Sequence, residues 1–308
     1  MTRRGRVLGV AAAMAAAVAG ALVAGGAEWR RTSARRVSKL RDLAREREWQ
    51  PAVSPATVPA GLPAPVARYL EFALPQAWAH VRAARIRWAG EFQMRPGAGW
   101  RPFDAEQHFT VRPPGFVWDA RIRMLPLLPL LPLLPVRVRD GYVAGQGTML
   151  GRAGGLVTVV DEGGTPAMAA GALARWLGEA VWFPTALVPS GTPGDGVRWE
   201  AVDDSTARAT ITDGATAVSA DFHFAPTREI TRMTAMRYRD VNGTGVLTPF
   251  EGRYGPYARR DGAMVPTSAE VAWLLPEGRF AYWRGRPVDV TYDHAPAAPS
   301  SGILAPGG

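Results

Sequence analysis

The stretch Arg85–Met94, RIRWAGEFQM, alternates strictly. Ile86, Trp88, Phe92 and Met94 fall on one side, and Arg85, Arg87, Glu91 and Gln93 on the other. A strand turns successive side chains to opposite faces, so this pattern belongs to an antiparallel sheet with one face buried and one wetted. Trp118, Ala120, Ile122 and Met124 repeat it against Asp119, Arg121 and Arg123.

The same reading expects strands over 107–112, 135–144, 156–161, 196–203, 206–212, 216–224, 229–239, 246–254, 264–274 and 280–292. Turn chemistry separates them: DEGG at 161–164, TDG at 212–214, NG at 242–243 and PEG at 276–278. Two helices interrupt the strands. Ala64–Leu74 carries a stripe of Val66, Tyr69, Leu70 and Ala73, and Pro166–Val181 pairs Arg175 with Glu179 at i, i+4. The expected class is α+β, mostly antiparallel β: a large curved sheet or half-barrel with a helix packed on it, preceded by an N-terminal transmembrane helix.

The chain has 308 residues, 47% of them hydrophobic, with 11 Trp, enough for a substantial core. Its net charge of +9 is not spread evenly. Residues 1–50 hold 11 basic and four acidic side chains, while the rest is close to neutral. The basicity therefore marks a segment rather than a nucleic-acid-binding body, and no RNA- or DNA-binding motif accompanies it. The absence of Cys removes disulfides, thiolate chemistry and Cys-ligated metals.

Val7–Ala27 is 21 residues without a charge, long enough to cross a hydrocarbon core of about 30 Å. A signal peptide cleaved after Gly25-Gly26-Ala27 is the alternative, but the apolar run is longer than such peptides use, which favours an uncleaved anchor. Arg3, Arg4 and Arg6 hold one flank inside. Arg30, Arg31, Arg35, Arg36, Lys39 and Arg41 pull the other flank the same way, so orientation stays open with an extracytoplasmic body as the expectation. Residues 32–50 read as a basic helix, capped by Thr32 or Ser33, with Val37, Leu40, Leu43 and Ala44 at helical spacing. It is either a juxtamembrane helix on anionic headgroups or a solvated stalk. The expected organisation is an anchor or signal segment over 1–31, a basic helix and Pro-rich linker over 32–58, a β-rich domain over 59–294 and a disordered tail over 295–308.

Leu125–Pro135, LPLLPLLPLLP, has proline at every third position, which excludes helix and favours an extended polyproline conformation without a polar face. So apolar a surface must be covered: by the sheet's concave face, by a lipid or acyl ligand sharing that concavity, or by the membrane. Leu127, Leu130 and Leu133, with Trp88, Trp118, Trp182 and Phe183, are the candidate ligand-binding residues.

Catalytic patterns are weak. His80, His108, His223 and His294 lack metal-ligand spacing, and there is no HExxH or GxSxG, so neither a metal nor a cofactor is expected. Asp240–Glu251 nearly matches a calcium loop, but Asn242-Gly243 in strand context reads better as a hairpin turn. Glu179, before Trp182 and Phe183, is either a polar group in an apolar pocket or the helix partner of Arg175; the second is favoured.

In order along the chain, PVARYLEF, FVWDARIRM, RDGYVAGQGTML, LARWLGEAVWFPTAL, GAMVPTSAEVAWLL and VDVTYD resemble an uncharacterised bacterial family of unknown function over Pro59–Asp293, with EAVWFPTAL the most specific piece. More distantly, the architecture is similar to the LolA/LolB-like lipoprotein carriers, and that resemblance implies acyl chains held in the concavity of the sheet. The expected function is a membrane-anchored, non-catalytic domain for a hydrophobic or lipidic ligand. A hydrolase or transferase built on scattered Glu, Asp, His and Arg, and a structural envelope protein, are the alternatives.

Overall fold

The computed structural model describes residues 3–46, 59–74, 81–123, 135–190, 196–241 and 243–294. The proline–leucine run, most of the linker and the tail from 295 lie outside the described residues.

A long helix, α1 (Arg3–Glu46), is followed by a short one, α2 (Ala64–Ala73). The strands then come in two groups. The first is β1 (Val81–Phe92), β2 (Arg101–Thr110), β3 (Gly115–Ile122), β4 (Val136–Val143), β5 (Gln146–Ala153) and β6 (Val157–Gly163). Helix α3 (Pro166–Glu179) and two short 3-10 turns, Ala180–Trp182 and Pro184–Leu187, lead to the second. That group is β7 (Val197–Asp203), β8 (Thr206–Asp213), β9 (Thr216–Phe224), β10 (Ile230–Val241), β11 (Thr244–Tyr254), β12 (Tyr257–Arg260), β13 (Ala263–Pro266), β14 (Ala269–Leu275) and β15 (Gly278–His294).

Thirteen strands form one antiparallel, curled half-barrel in the order β6-β5-β4-β3-β2-β1-β15-β14-β11-β10-β9-β8-β7, and β12 and β13 pair separately. The halves join where β1 meets β15, from Val81 opposite His294 to Phe92 opposite Trp283. The inner face carries the large apolar side chains and receives α3, which touches both halves of the sheet. Thr165 caps α3, its side chain accepting from the Met168 amide at 3.2 Å. Gly90 admits the Phe103 ring against the sheet: a Cβ there would lie 2.7 Å from it.

The outer face, polar in sequence, is partly covered by α1. Gly26, Trp29, Ser33, Leu40 and Ala44 are buried along one side of that helix, a stripe at intervals of three, four and seven residues. No break occurs at residue 32. Thr32 and Ser33 lie inside the helix because the sheet satisfies their hydroxyls: Arg139 donates to both at 2.9 Å, and Ser33 donates to Asp119 at 2.5 Å. The expected stalk or headgroup-bound helix is instead a helix docked on β2, β3 and β4.

The dock has a pH-sensitive corner. Arg41 donates to His108 Nδ1 at 3.3 Å, which leaves Nε2–H to donate to Glu106 at 2.8 Å. Burial holds the His108 pKa below its ordinary 6.5, with Arg41 adding to the depression and Glu106 opposing it. Below 6.5 the unfolded chain therefore binds the proton first, and stability falls as pH drops toward the folded-state value. Burial lowers His223 as well, so His108→Gln should flatten the loss just below 6.5 without abolishing it. Thermal unfolding across that interval checks this, and an unchanged slope would contradict it.

Candidate functional site

The inner face beneath EAVWFPTAL, Glu179–Leu187, is closed. Trp88, Trp118, Trp182 and Phe183 are at most 4% exposed and pack on one another or on core rings. Trp88 meets Trp182 edge-on at 4.9 Å, and Phe183 lies 4.5 Å from Phe109. The 3-10 turns press these rings into the sheet: Trp182 donates to the Pro266 carbonyl at 3.0 Å, and Tyr292 to the Trp182 carbonyl at 2.7 Å. These four expected ligand-binding residues therefore build core, while Leu127, Leu130 and Leu133 lie outside the described residues.

One polar relay threads this core. Trp88 Nε1 donates to Gln107 at 3.0 Å, and Gln107 to Glu179 Oε2 at 2.7 Å. Arg175 Nε donates to Glu179 Oε1 at 3.0 Å and its terminal nitrogen to Asp140 at 2.6 Å. The guanidinium also lies over Phe116 and Trp118, 5.0 and 5.1 Å from their centroids. Burial raises the Glu179 pKa against the pull of Arg175 and Gln107. Burial opposes charge on Arg175, but Glu179 and Asp140 outweigh it and raise its pKa. Both Glu179 oxygens are engaged, one by Gln107 and the other by Arg175 at i−4 of its own helix.

The open surface is elsewhere, between β9 and β10. Their ladder runs only from Phe224 opposite Ile230 to Asp221 opposite Thr234. Beyond it, β9 stays paired with β8 as far as Thr216, and β10 with β11 as far as Val241. The two inner edges part and leave a cleft of about 630 Å³ floored by Ala170 of α3. Ala217, Val218, Ala220, Ala235, Met236, Tyr238, Leu247, Pro249, Phe250 and Leu274 make most of its wall apolar. Met236 and Leu247 are 53% and 50% exposed.

Two arginines mark its inner and outer rims. On the inner side Arg237 donates to the Gly171 carbonyl at 2.9 Å and to the Tyr282 hydroxyl at 3.2 Å, over the Phe250 and Trp273 rings. On the outer side Arg208 holds Asp221 through two bonds of 2.7 and 2.9 Å and keeps that carboxyl below its usual range. The polar groups at both rims are thus fixed in place, while the apolar middle is open.

Sequence reasoning found both strands but not the cleft, because a ladder that stops early leaves no local signal. Three alanines on the facing edges, Ala217, Ala220 and Ala235, were the available hint. Asp240–Glu251 is the β10–β11 hairpin, with Asp240 opposite Gly245 and Glu251 opposite Thr234. Six residues of strand, about 20 Å, separate these two carboxylates along the ladder. Glu251 is bound instead by Arg253 and Arg279 at 2.8 and 2.7 Å.

No curated protein matches the chain. Among solved structures, a LolA superfamily protein from Nitrosomonas europaea is similar at 12% identity and a TM-score of 0.34, over 77% of this chain and 96% of that one. A DUF1329 family protein from Desulfovibrio piger is similar at 11% identity and 0.39, over 77% and 94%. A β-barrel-like DUF1849 protein from Brucella abortus is similar at 9% and 0.24, over 70% and 98%. At these scores the likeness is one of loose architecture. The model of a family of unknown function, DUF6544, matches residues 51–285, and the chain belongs to that family.

Proposed function

We propose that this DUF6544 member is a membrane-tethered, non-catalytic domain that takes a hydrophobic or lipidic ligand through the β9–β10 cleft toward the inner face of its sheet. The observation that carries the reading is the cleft itself. At about 630 Å³ and mostly apolar, with a few fixed polar groups at its rims, it has the size and lining of a small-molecule site. The ligand suited to it has an apolar chain for the alanine-rich walls and a polar or anionic end for the rim beside Arg237 and Arg208. The tether is α1, whose described part is apolar enough from Ala12 to cross a bilayer by length and composition. A catalytic reading has less support, since Glu179, the carboxylate that opens EAVWFPTAL, has both oxygens occupied.

Titration of the full-length protein with cis-parinaric acid, whose fluorescence rises on leaving water, tests this. Saturable binding is expected. Ala217→Trp, on an exposed cleft residue where a larger side chain does not disturb the core, should weaken it about tenfold or more, a loss of about 1.4 kcal/mol per decade. No saturable uptake, or uptake indifferent to Ala217→Trp, would sink the proposal.

A further inference from the structure

Besides the cleft, the outer face carries a row of arginines with no evident use within the fold. Arg121 stands opposite Arg137, and Arg137 opposite Arg152, across β3, β4 and β5. Like charges directly opposite one another destabilise a sheet. Asp104, the neighbour of Arg121 on β2, is taken by Arg123 at 2.9 Å. Among the described residues no carboxylate is joined to Arg121, Arg137 or Arg152, and Arg152 Nε is buried without an acceptor.

This row ends at the helix. A Cβ on Gly26 would lie 3.9 Å from the Arg137 guanidinium. Beside it, the β5–β6 turn presses onto Gly25, where a Cβ would lie 2.6 Å from Leu156 and 2.9 Å from the Gly155 carbonyl. Apolar side chains of the turn and of the start of β6 are exposed all the same: Leu156 is 42%, Val157 65% and Val159 54% exposed.

Gly25 belongs to the apolar run Val7–Ala27. The docked stripe begins inside that run, at the half-buried Leu22. Leu22–Ala27 therefore overlaps with the span by about 9 Å at 1.5 Å per residue. A helix inserted through this run carries the β5–β6 turn with it to the depth of roughly 5–10 Å at which interfacial side chains sit. The arginine row then lies level with the headgroups.

The geometry points to the β5–β6 turn and the Arg121–Arg137–Arg152 row as a second membrane contact, selective for anionic lipid headgroups, that holds the half-barrel in one attitude on the surface. This rests on reading α1 as membrane-inserted. Headgroup phosphates supply the acceptors that the row lacks within the protein, and Leu156 and Val157 fill the interface beside the helix.

The Cys-free chain allows single labels. Full-length Ala16→Cys and Val157→Cys, each carrying an environment-sensitive dye, are placed in vesicles with bromine-substituted acyl chains. The vesicles are of phosphatidylcholine alone or with phosphatidylglycerol. The label at 16 should be quenched in both, and the label at 157 strongly only with phosphatidylglycerol. Arg121→Gln, Arg137→Gln and Arg152→Gln together should return the latter to its phosphatidylcholine level. Quenching at 16 with none at 157 overturns the second contact and leaves the anchor standing; none at either overturns the anchor reading and the contact with it. Quenching at 157 that ignores both phosphatidylglycerol and the glutamines overturns the role given to the arginines.

Discussion

Replacing Arg175 with methionine lowers the stability of the domain by about 3–5 kcal/mol, the usual consequence of breaking a buried ion pair from one side. The side chains of Arg175, Asp140 and Glu179 are 16%, 8% and 16% exposed, and one guanidinium joins both carboxylates. Methionine keeps much of the stem volume, so the core need not collapse. It leaves Asp140 and Glu179 as like charges without a donor between them, and it removes the cation from above Phe116 and Trp118. For a domain of this size the loss lowers the unfolding temperature by roughly 10 °C. The same physics gives a rescue: Arg175→Met combined with Asp140→Leu and Glu179→Leu removes every stranded charge and should recover most of the stability. Thermal or denaturant unfolding reads both, and a single variant within about 1 kcal/mol of the parent would contradict the picture of a charged clamp.

Trp29→Ala has the second large effect, and it is local. Trp29 is 1% exposed, its Nε1–H lies 2.9 Å from both Asp119 oxygens, and Arg139 sits 4.8 Å over its ring. Removing a buried Trp costs about 3–5 kcal/mol, which here falls on the contact between α1 and the outer face. The undocked population then rises on the order of a hundredfold or more. Trypsin should cut quickly at Arg30, Arg31, Arg35 and Arg36 while the sheet stays resistant, because the inner face does not depend on this helix. Cleavage no faster than in the parent, or simultaneous loss of the sheet, would show that the docked helix is not a separable element.

The sheet was legible because its rule is local. Alternation from Ile86 to Phe92 and from Trp118 to Ile122 marks the inner face, though it fails at Met94, which lies past the end of β1 and is 64% exposed. The Arg175–Glu179 spacing marks α3. The joining of the sheet's two halves was not legible, since β1 and β15 pair across about two hundred residues of chain. The docking of α1 was hidden for a related reason. Its buried stripe crosses from the apolar run into the basic segment, so composition divides at residue 31 what packing unites. At the candidate site, sequence reasoning singled out large apolar rings, and the structure buries them. Trp88, Trp118, Trp182 and Phe183 are large and apolar, and for that reason they fill the core. The residues that leave space are alanines, and only the point at which β9 leaves β10 shows where they matter.

The most direct measurement is photolabelling of the full-length protein with a diazirine-bearing fatty acid, followed by mass spectrometry of the adducts. The expected result is labelling on 217–221 and 235–238, suppressed by unlabelled fatty acid and by Ala217→Trp. Labelling confined to the apolar part of α1, or indifferent to competitor and substitution, would contradict a ligand site in the cleft.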